Sequence, residues 1–183
     1  MKHVTLYNDV LSQEDWKTVR STLTRPQWKF GHTSTPRDSQ ASVLPRPRYW
    51  KMKLHEDEFF MSYMSEIILN LVPVNNLKVR TVYAGGNTFG TSGDIHTDSD
   101  LDDFYTFLYH ASPCDWKPMY GGKTSFYPVN DPPEYYEFTP NSGLFFHSNV
   151  PHLGEPITKY FDGIRVCIAF KLIPIHVMTS YLI

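Results

Sequence analysis

Three residues of this chain have the types and spacing to hold a metal ion. His96 and Asp98 stand two apart. On an extended strand that spacing puts both side chains on one face, where an imidazole and a short carboxylate arm can converge on one cation. His152 is the natural third ligand, because it lies just past the strand-like run GLFFHS at 143–148. Two imidazoles and one carboxylate take one face of an octahedron and leave the opposite face open, the arrangement of non-haem iron sites. The His-x-Asp pair alone also suits a polar turn closed by an Asx-type hydrogen bond.

Two other motifs fail on inspection. GGKTS at 121–125 resembles the end of a phosphate-binding loop, but its required first glycine falls at Lys117. DIHTDSDLDD resembles a calcium loop, but Ser99 stands at the glycine position and Tyr105 where the final Glu belongs.

The elements that must position the three residues read mostly as strands. LKVRTVYAG, FYTFLYHA, GGKTSFYPV, YYEFTP, GLFFHS and IRVCIAFKLIPI are β-rich runs parted by Gly, Pro and Asn turns. A tight turn or bulge is expected at Gly85, Gly86 and Gly90. Six or so such strands predict a mainly β fold, an antiparallel barrel or jelly roll. Two helices precede them. The first is capped by Ser12, with Asp15 in the capping-box position and Leu11 and Trp16 as the staple, and Pro26 stops it. The second runs from about Asp57 to Leu71, with Phe60, Met64, Ile67, Ile68 and Leu71 on one face. Residues 31–48, GHTSTPRDSQASVLPRPR, have no period and read as a long loop or substrate-facing arm.

Composition bounds the rest. A chain of 183 residues fits one domain, 1–183, with 1–76 as helical and loop support and 77–172 as the barrel core. With 41% hydrophobic and 20% charged residues it has the makings of a packed core. A net charge of −2 offers no global basic field, so nucleic acid is an unlikely partner. Two cysteines, Cys114 and Cys167, exclude a four-cysteine zinc site within the chain, and at this length a disulfide scaffold is unnecessary. The absence of a long apolar run predicts no membrane span, and a cytoplasmic protein is expected. Oligomeric state is not readable.

The segments around the three residues are similar to a known family, the 2-oxoglutarate- and Fe(II)-dependent oxygenases, in their prolyl-4-hydroxylase-like branch. The resemblance covers roughly residues 77–172. VRTVYAGGNTFGTSGDIHTD resembles the strand, glycine turn and His-x-Asp of that branch. FYTFLYHASPCDWKPMYGGKTSFYP resembles its next strand, loop and Gly-Gly-x-Thr strand. GLFFHSNVPHLGEPI resembles the segment with the distal His, and GIRVCIAFKL the strand with the basic residue that holds 2-oxoglutarate.

The resemblance implies a double-stranded β-helix (jelly roll, cupin-like barrel) with flanking N-terminal helices. It implies that His96, Asp98 and His152 hold Fe(II), with 2-oxoglutarate and O2 as cosubstrates. Arg165 would pair with the far carboxylate of 2-oxoglutarate, helped by Tyr109, with Tyr83 and Thr124 lining the same pocket. His110, next to Tyr109, should face the other way. The reaction implied is hydroxylation of an unactivated carbon coupled to decarboxylation of 2-oxoglutarate to succinate. The substrate would be a free amino acid, another small molecule, or a peptidyl proline. The arm at 31–48 and the loop at 112–120 are the expected specificity elements, through His32, Arg37, Arg48, Trp116 and Tyr120, and His147 is a further substrate-facing residue. The competing reading is a metal- or small-ligand-binding jelly-roll module without oxygenase turnover.

Overall fold

The computed structural model describes residues 3–34, 47–112 and 115–177. Of the expected substrate contacts Arg37, with most of the 31–48 arm, lies outside the described residues, as does Cys114.

The strands are β1 (Val4–Tyr7), β2 (Lys29–His32), β3 (Tyr49–Lys53), β4 (Leu77–Asn87), β5 (Tyr105–His110), β6 (Thr124–Phe126), β7 (Glu134–Tyr136), β8 (Gly143–His147), β9 (His152–Gly154) and β10 (Arg165–Pro174). They form a seven-stranded sheet of order β1-β8-β5-β10-β4-β3-β2 and a three-stranded sheet of order β7-β6-β9. Every pairing is antiparallel. This is the expected jelly roll with helices at its flank. The N-terminal part does more than support it, because β1, β2 and β3 extend both edges of the large sheet.

The large sheet has two faces with different work, and strand alternation assigns every residue to one of them. Val166, Ile168, Phe170 and Leu172 of β10, Phe107 and Tyr109 of β5, and Val82 and Ala84 of β4 face the helices and form the main core. Arg165, Cys167, Ala169 and Lys171 face the other way. A smaller core of Val4, Phe126, Leu144, Phe146 and Val150 joins the two sheets.

Helix α1 (Gln13–Leu23) begins as its sequence predicts. The Ser12 Oγ accepts from the Asp15 N–H and donates to the Asp15 carboxylate, and Leu11 and Trp16 are both buried. The second helix differs from its expected form. Its first half, Phe59–Met64, is π-helical, and only Ser65–Leu71 (α2) is α-helical. The Ser65 hydroxyl donates to the Phe60 carbonyl five residues back, which satisfies a group in the widened turn. The wider turn rotates the stripe: Phe60, Met64 and Ile68 are fully buried, whereas Leu71 is exposed.

The expected glycine turn also shifts. β4 runs straight through Gly85 and Gly86, because bare glycines let both faces pack closely: a Cβ on Gly86 would stand 2.4 Å from Ile164 Cδ1. The turn comes later, at Thr88–Thr91, where Gly90 has φ +81°.

Candidate active site

His96 and His152 meet across a two-residue antiparallel bridge. Their backbones exchange N–H···O bonds of 3.0 and 2.9 Å, which sets the rings side by side with centroids 4.5 Å apart. Asp98 then turns in, its N–H donating to the Ser148 carbonyl at 2.8 Å. One ligand atom from each of His96, Asp98 and His152 lies within 4.8 Å of the others. Each imidazole is locked by the carbonyl two residues before it: His96 Nδ1 to Asp94 O at 2.8 Å, His152 Nδ1 to Val150 O at 2.9 Å. A carbonyl only accepts, so Nδ1 carries the proton and the Nε2 lone pair is left for a cation. Phe126 stacks on the His152 ring and Phe146 meets it edge-on, fixing its plane. Burial pushes His152 down to about 4, with Asp98 opposing, so the ligand nitrogen stays unprotonated at neutral pH.

Asp98 is nearly enclosed. Burial alone would raise its carboxyl, but the Lys171 ammonium, by its charge and its hydrogen bond, holds it well below the ordinary carboxylate range. Oδ2 is bound by Lys171 Nζ and by the Thr106 hydroxyl at 2.7 Å. The opposite oxygen, Oδ1, faces His96 Nε2 at 3.6 Å. Asp98 is therefore held through Oδ2 by two donors, and that oxygen also lies 3.7 Å from His152 Nε2.

The other end of the groove is built around Arg165. It is 3% exposed, yet among the described residues no carboxylate pairs with it. Its Nε donates to the Gly122 carbonyl at 2.6 Å and Nη2 to the Thr124 hydroxyl at 3.2 Å. The guanidinium lies over the Phe138 ring. Glycines make the room: a Cβ on Gly122 would stand 2.7 Å from Arg165 Cδ, and one on Gly154 3.1 Å from Nη1. A buried guanidinium with spare donors and no counter-ion fits an anionic ligand. It is not the surface ion pair that a strand-end arginine commonly makes.

The cavity above the triad is lined by Tyr49, Tyr83, Leu108, Thr124, Arg165 and Lys171, together with the three ligands. The structure thus brings Tyr83, Thr124 and Arg165 to the triad's cavity. It does not bring Tyr109 there. Tyr109 lies on the helix-facing side of β5, and its hydroxyl donates to Asn141 Oδ1 at 2.9 Å. Strand parity instead sends His110 to the groove side, opposite Cys167. Its Nδ1 bonds the Ser142 hydroxyl, its ring stacks on Phe138 beside Arg165, and its Nε2 is buried without a partner among the described residues.

Trp116 and Tyr120 pack with Phe138 and Phe161 into an aromatic plug outside the Arg165 end, rather than forming a wall over the metal ligands. His147 is exposed, stacks on Tyr105 and bonds the Asp102 carbonyl through Nδ1, away from the cavity. His32 sits in β2 beside Tyr49, ring centroids 6.3 Å apart, at the margin of the cavity. Arg48 is exposed. Sequence reasoning missed Lys171, Thr106, Tyr49 and His110. The signal for three of them was present: Lys171 is six residues from Arg165 and so shares its face, and Thr106 and His110 share theirs.

No protein-family model matches the chain, and no curated protein matches it. Solved structures do. An oxidoreductase of the 2OG-Fe(II) oxygenase family from Burkholderia pseudomallei superposes with TM-score 0.71 at 8% identity, over 95% of this chain and 86% of that one. A prolyl hydroxylase from Trichoplax adhaerens, in complex with a hypoxia-inducible-factor peptide fragment, gives 0.68 at 16% identity over 94% and 84%. HygX from Streptomyces hygroscopicus, with nickel, 2-oxoglutarate and hygromycin B bound, gives 0.63 at 13% identity over 95% and 84%. The likeness is one of fold: this chain has the jelly roll of the 2OG-Fe(II) oxygenases and prolyl hydroxylases, with a His-Asp-His triad in it. Among the described residues no helix is long and apolar enough to cross a membrane.

Proposed function

We propose that the chain is a 2-oxoglutarate- and Fe(II)-dependent oxygenase that hydroxylates an unactivated carbon. One observation carries the reading: a groove with the His96–Asp98–His152 cluster in it ends in a buried arginine that pairs with no carboxylate among the described residues. Fe(II) would be held by His96, Asp98 and His152, and with 2-oxoglutarate and O2 it supplies the oxidising power for C–H hydroxylation, 2-oxoglutarate leaving as succinate.

The residues of the chain divide the remaining work. Two neutral imidazoles and one carboxylate present three fixed donors, oriented by Asp94 O, Val150 O, Thr106 and Lys171. Arg165 would take the far carboxylate of 2-oxoglutarate, with Thr124 beside it. Its charge does not titrate away and its fork matches a planar anion. Cys167 and Ala169 are small, so the groove floor between Arg165 and Lys171 leaves space for the cosubstrate. The low exposure of His152, Asp98 and Arg165 keeps water out and strengthens each electrostatic contact.

Solved structures of this fold hold a peptide in one case and hygromycin B in another. Fold alone therefore does not choose among a free amino acid, another small molecule and a peptidyl proline for this chain. The test is succinate formation from 2-oxoglutarate by purified protein supplied with Fe(II) and O2. Dependence on iron and loss in Asp98→Ala are expected. Protein that neither binds 2-oxoglutarate in the presence of metal nor forms succinate would leave a binding module in place of an enzyme.

A further inference from the structure

The groove carries positive charge at both ends. On β10, Arg165 and Lys171 face the same side six residues apart, roughly 20 Å of extended strand, with the small Cys167 and Ala169 between them. Arg165 accounts for one anion. The Lys171 end has more cation than its surroundings can neutralise.

Lys51, on the adjoining β3, points its Nζ over the Tyr83 ring at 3.9 Å from the centroid, and Lys171 Nζ lies 5.6 Å from the same centroid. Tyr83 and Tyr49 both line the cavity over the triad. Lys51 also stands directly opposite Lys29 in the β2–β3 register, with Lys53 two residues on and therefore on the same face. Like charges directly opposite one another in a sheet are destabilising. Among the described residues no carboxylate is in ion-pair reach of Lys29, Lys51 or Lys53. Among the described residues Asp98 is the only acidic one lining this cavity or the second cavity behind the Asp98–Lys171 pair, where Arg80 and His55 add to the basic side. Lys171 and the triad already use it. Contact with an aromatic face holds the Lys51 side chain in place without cancelling its charge. Burial and the neighbouring Lys171 and Lys53 pull Lys51 down, and burial with Lys51, Lys29 and Lys53 pulls His32 down, which registers the same excess.

Resting on the oxygenase reading, we propose that the substrate carries an oxyanion, a carboxylate or a phosphate, seated by Lys51 and Lys171 against Tyr83 at the end of the groove opposite Arg165. The substrate's reacting carbon then lies between two anchored anions, its own and that of 2-oxoglutarate.

The test uses protein loaded with Mn(II) and 2-oxoglutarate without oxygen, titrated by calorimetry with three matched pairs. These are N-acetyl-L-proline and its amide, N-acetylglycine and its amide, and glycerol 3-phosphate and glycerol. The expected result is binding of an anionic member at least tenfold tighter than its neutral partner, and a further tenfold loss in Lys51→Met that Lys51→Arg restores. Preference for the two acids identifies a carboxylate, and preference for glycerol 3-phosphate a phosphate. Equal binding of charged and neutral members, no binding of any, or anion affinity unchanged in Lys51→Met would overturn the proposal. Failure of Mn(II) or 2-oxoglutarate to bind in the first place would sink the oxygenase reading instead, so the two failures are distinct. Lys51 does not touch Asp98, so its loss separates anion recognition from orientation of the metal ligands.

Discussion

Replacing Arg165 by Gln separates a ligand-binding arginine from a structural one. The guanidinium is buried, with two hydrogen bonds and a ring beneath it but no carboxylate. Losing two such charge-assisted bonds costs about 1.5–3 kcal/mol each. Removing an uncompensated buried cation recovers several kcal/mol of desolvation, on the order of the loss or greater. The two terms offset, so the ligand-free variant should unfold close to the wild type or above it. Ligand binding should behave in the opposite way. Truncating one partner of a buried charge pair costs about 2–5 kcal/mol, which is roughly 30-fold to 5,000-fold in 2-oxoglutarate affinity. At 100 times its dissociation constant a ligand stabilises the native state by about 2.7 kcal/mol. For a chain of this size that raises Tm by roughly 5–11 °C. In Arg165→Gln the same concentration should give at most about 4 °C. The assay is thermal unfolding of Mn(II)-loaded protein with and without 2-oxoglutarate, beside calorimetric titration. A variant that unfolds far below the wild type, yet keeps the full 2-oxoglutarate shift, would make Arg165 a strut and refute the reasoning.

Thr106→Val should weaken Mn(II) affinity by about 10–100-fold, because the Thr106 hydroxyl fixes Asp98 Oδ2 and with it the orientation of the carboxylate; metal titration monitors it. Asn141→Ala should lower Tm by roughly 6 °C or more, since the side chain accepts from Leu11 N–H and Tyr109 OH and donates to Leu11 O, and orphaned buried groups cost about 1–3 kcal/mol each. Metal-free protein should lose stability in acid. Burial holds His110 down to about 3 and His152 to about 4, so the unfolded chain binds more protons than the native one between those values and about 6.5. Stability therefore falls as pH drops through that window, by about 2 kcal/mol per buried imidazole between pH 7 and pH 5. Urea unfolding at the two pH values checks it, and His110→Asn should remove its share of the slope.

Much of the site was legible because its residues sit in short, strongly marked segments. His-x-Asp beside a glycine-rich stretch and a distal His past a β-rich run needed no tertiary information. The fold class followed from turn residues punctuating apolar runs. Other features depended on partners far away in the chain. β1, β2 and β3 are short, and β2 and β3 are rich in lysine; they become strands by adding to edges of a sheet made elsewhere. The π-helical half of the second helix keeps a helical apolar spacing on paper, and only the packed structure shows the rotation that exposes Leu71. Tyr109 and His110 were separable only by parity. Taking Tyr109 toward the cosubstrate would require Phe107 to leave the core with it, and Phe107 is fully buried there.

Parity is also what couples stability to chemistry in this protein. On β10 the side chains of Val166, Ile168, Phe170 and Leu172 are all 3% exposed or less on the helix side. Burying each contributes about 1.5–3 kcal/mol. A one-residue slip of β10 would expose all four and turn Arg165 and Lys171 into the apolar core. The four together are worth roughly 6–12 kcal/mol, as much as the whole stability of an ordinary domain. The chain therefore cannot fold in that alternative register. The β10–β4 pairing is irregular at the end of the site, where β4 inserts Arg80 opposite the Lys171–Leu172 step. Up to that bulge the core holds both cations on the groove side, on either side of the His96–Asp98–His152 triad. Beyond it the strand is free to bend away from the groove. The position of the two charges along the groove is thus set by the apolar residues behind them, while the β2–β3 hairpin at the sheet's edge supplies Lys51 from a separate part of the chain.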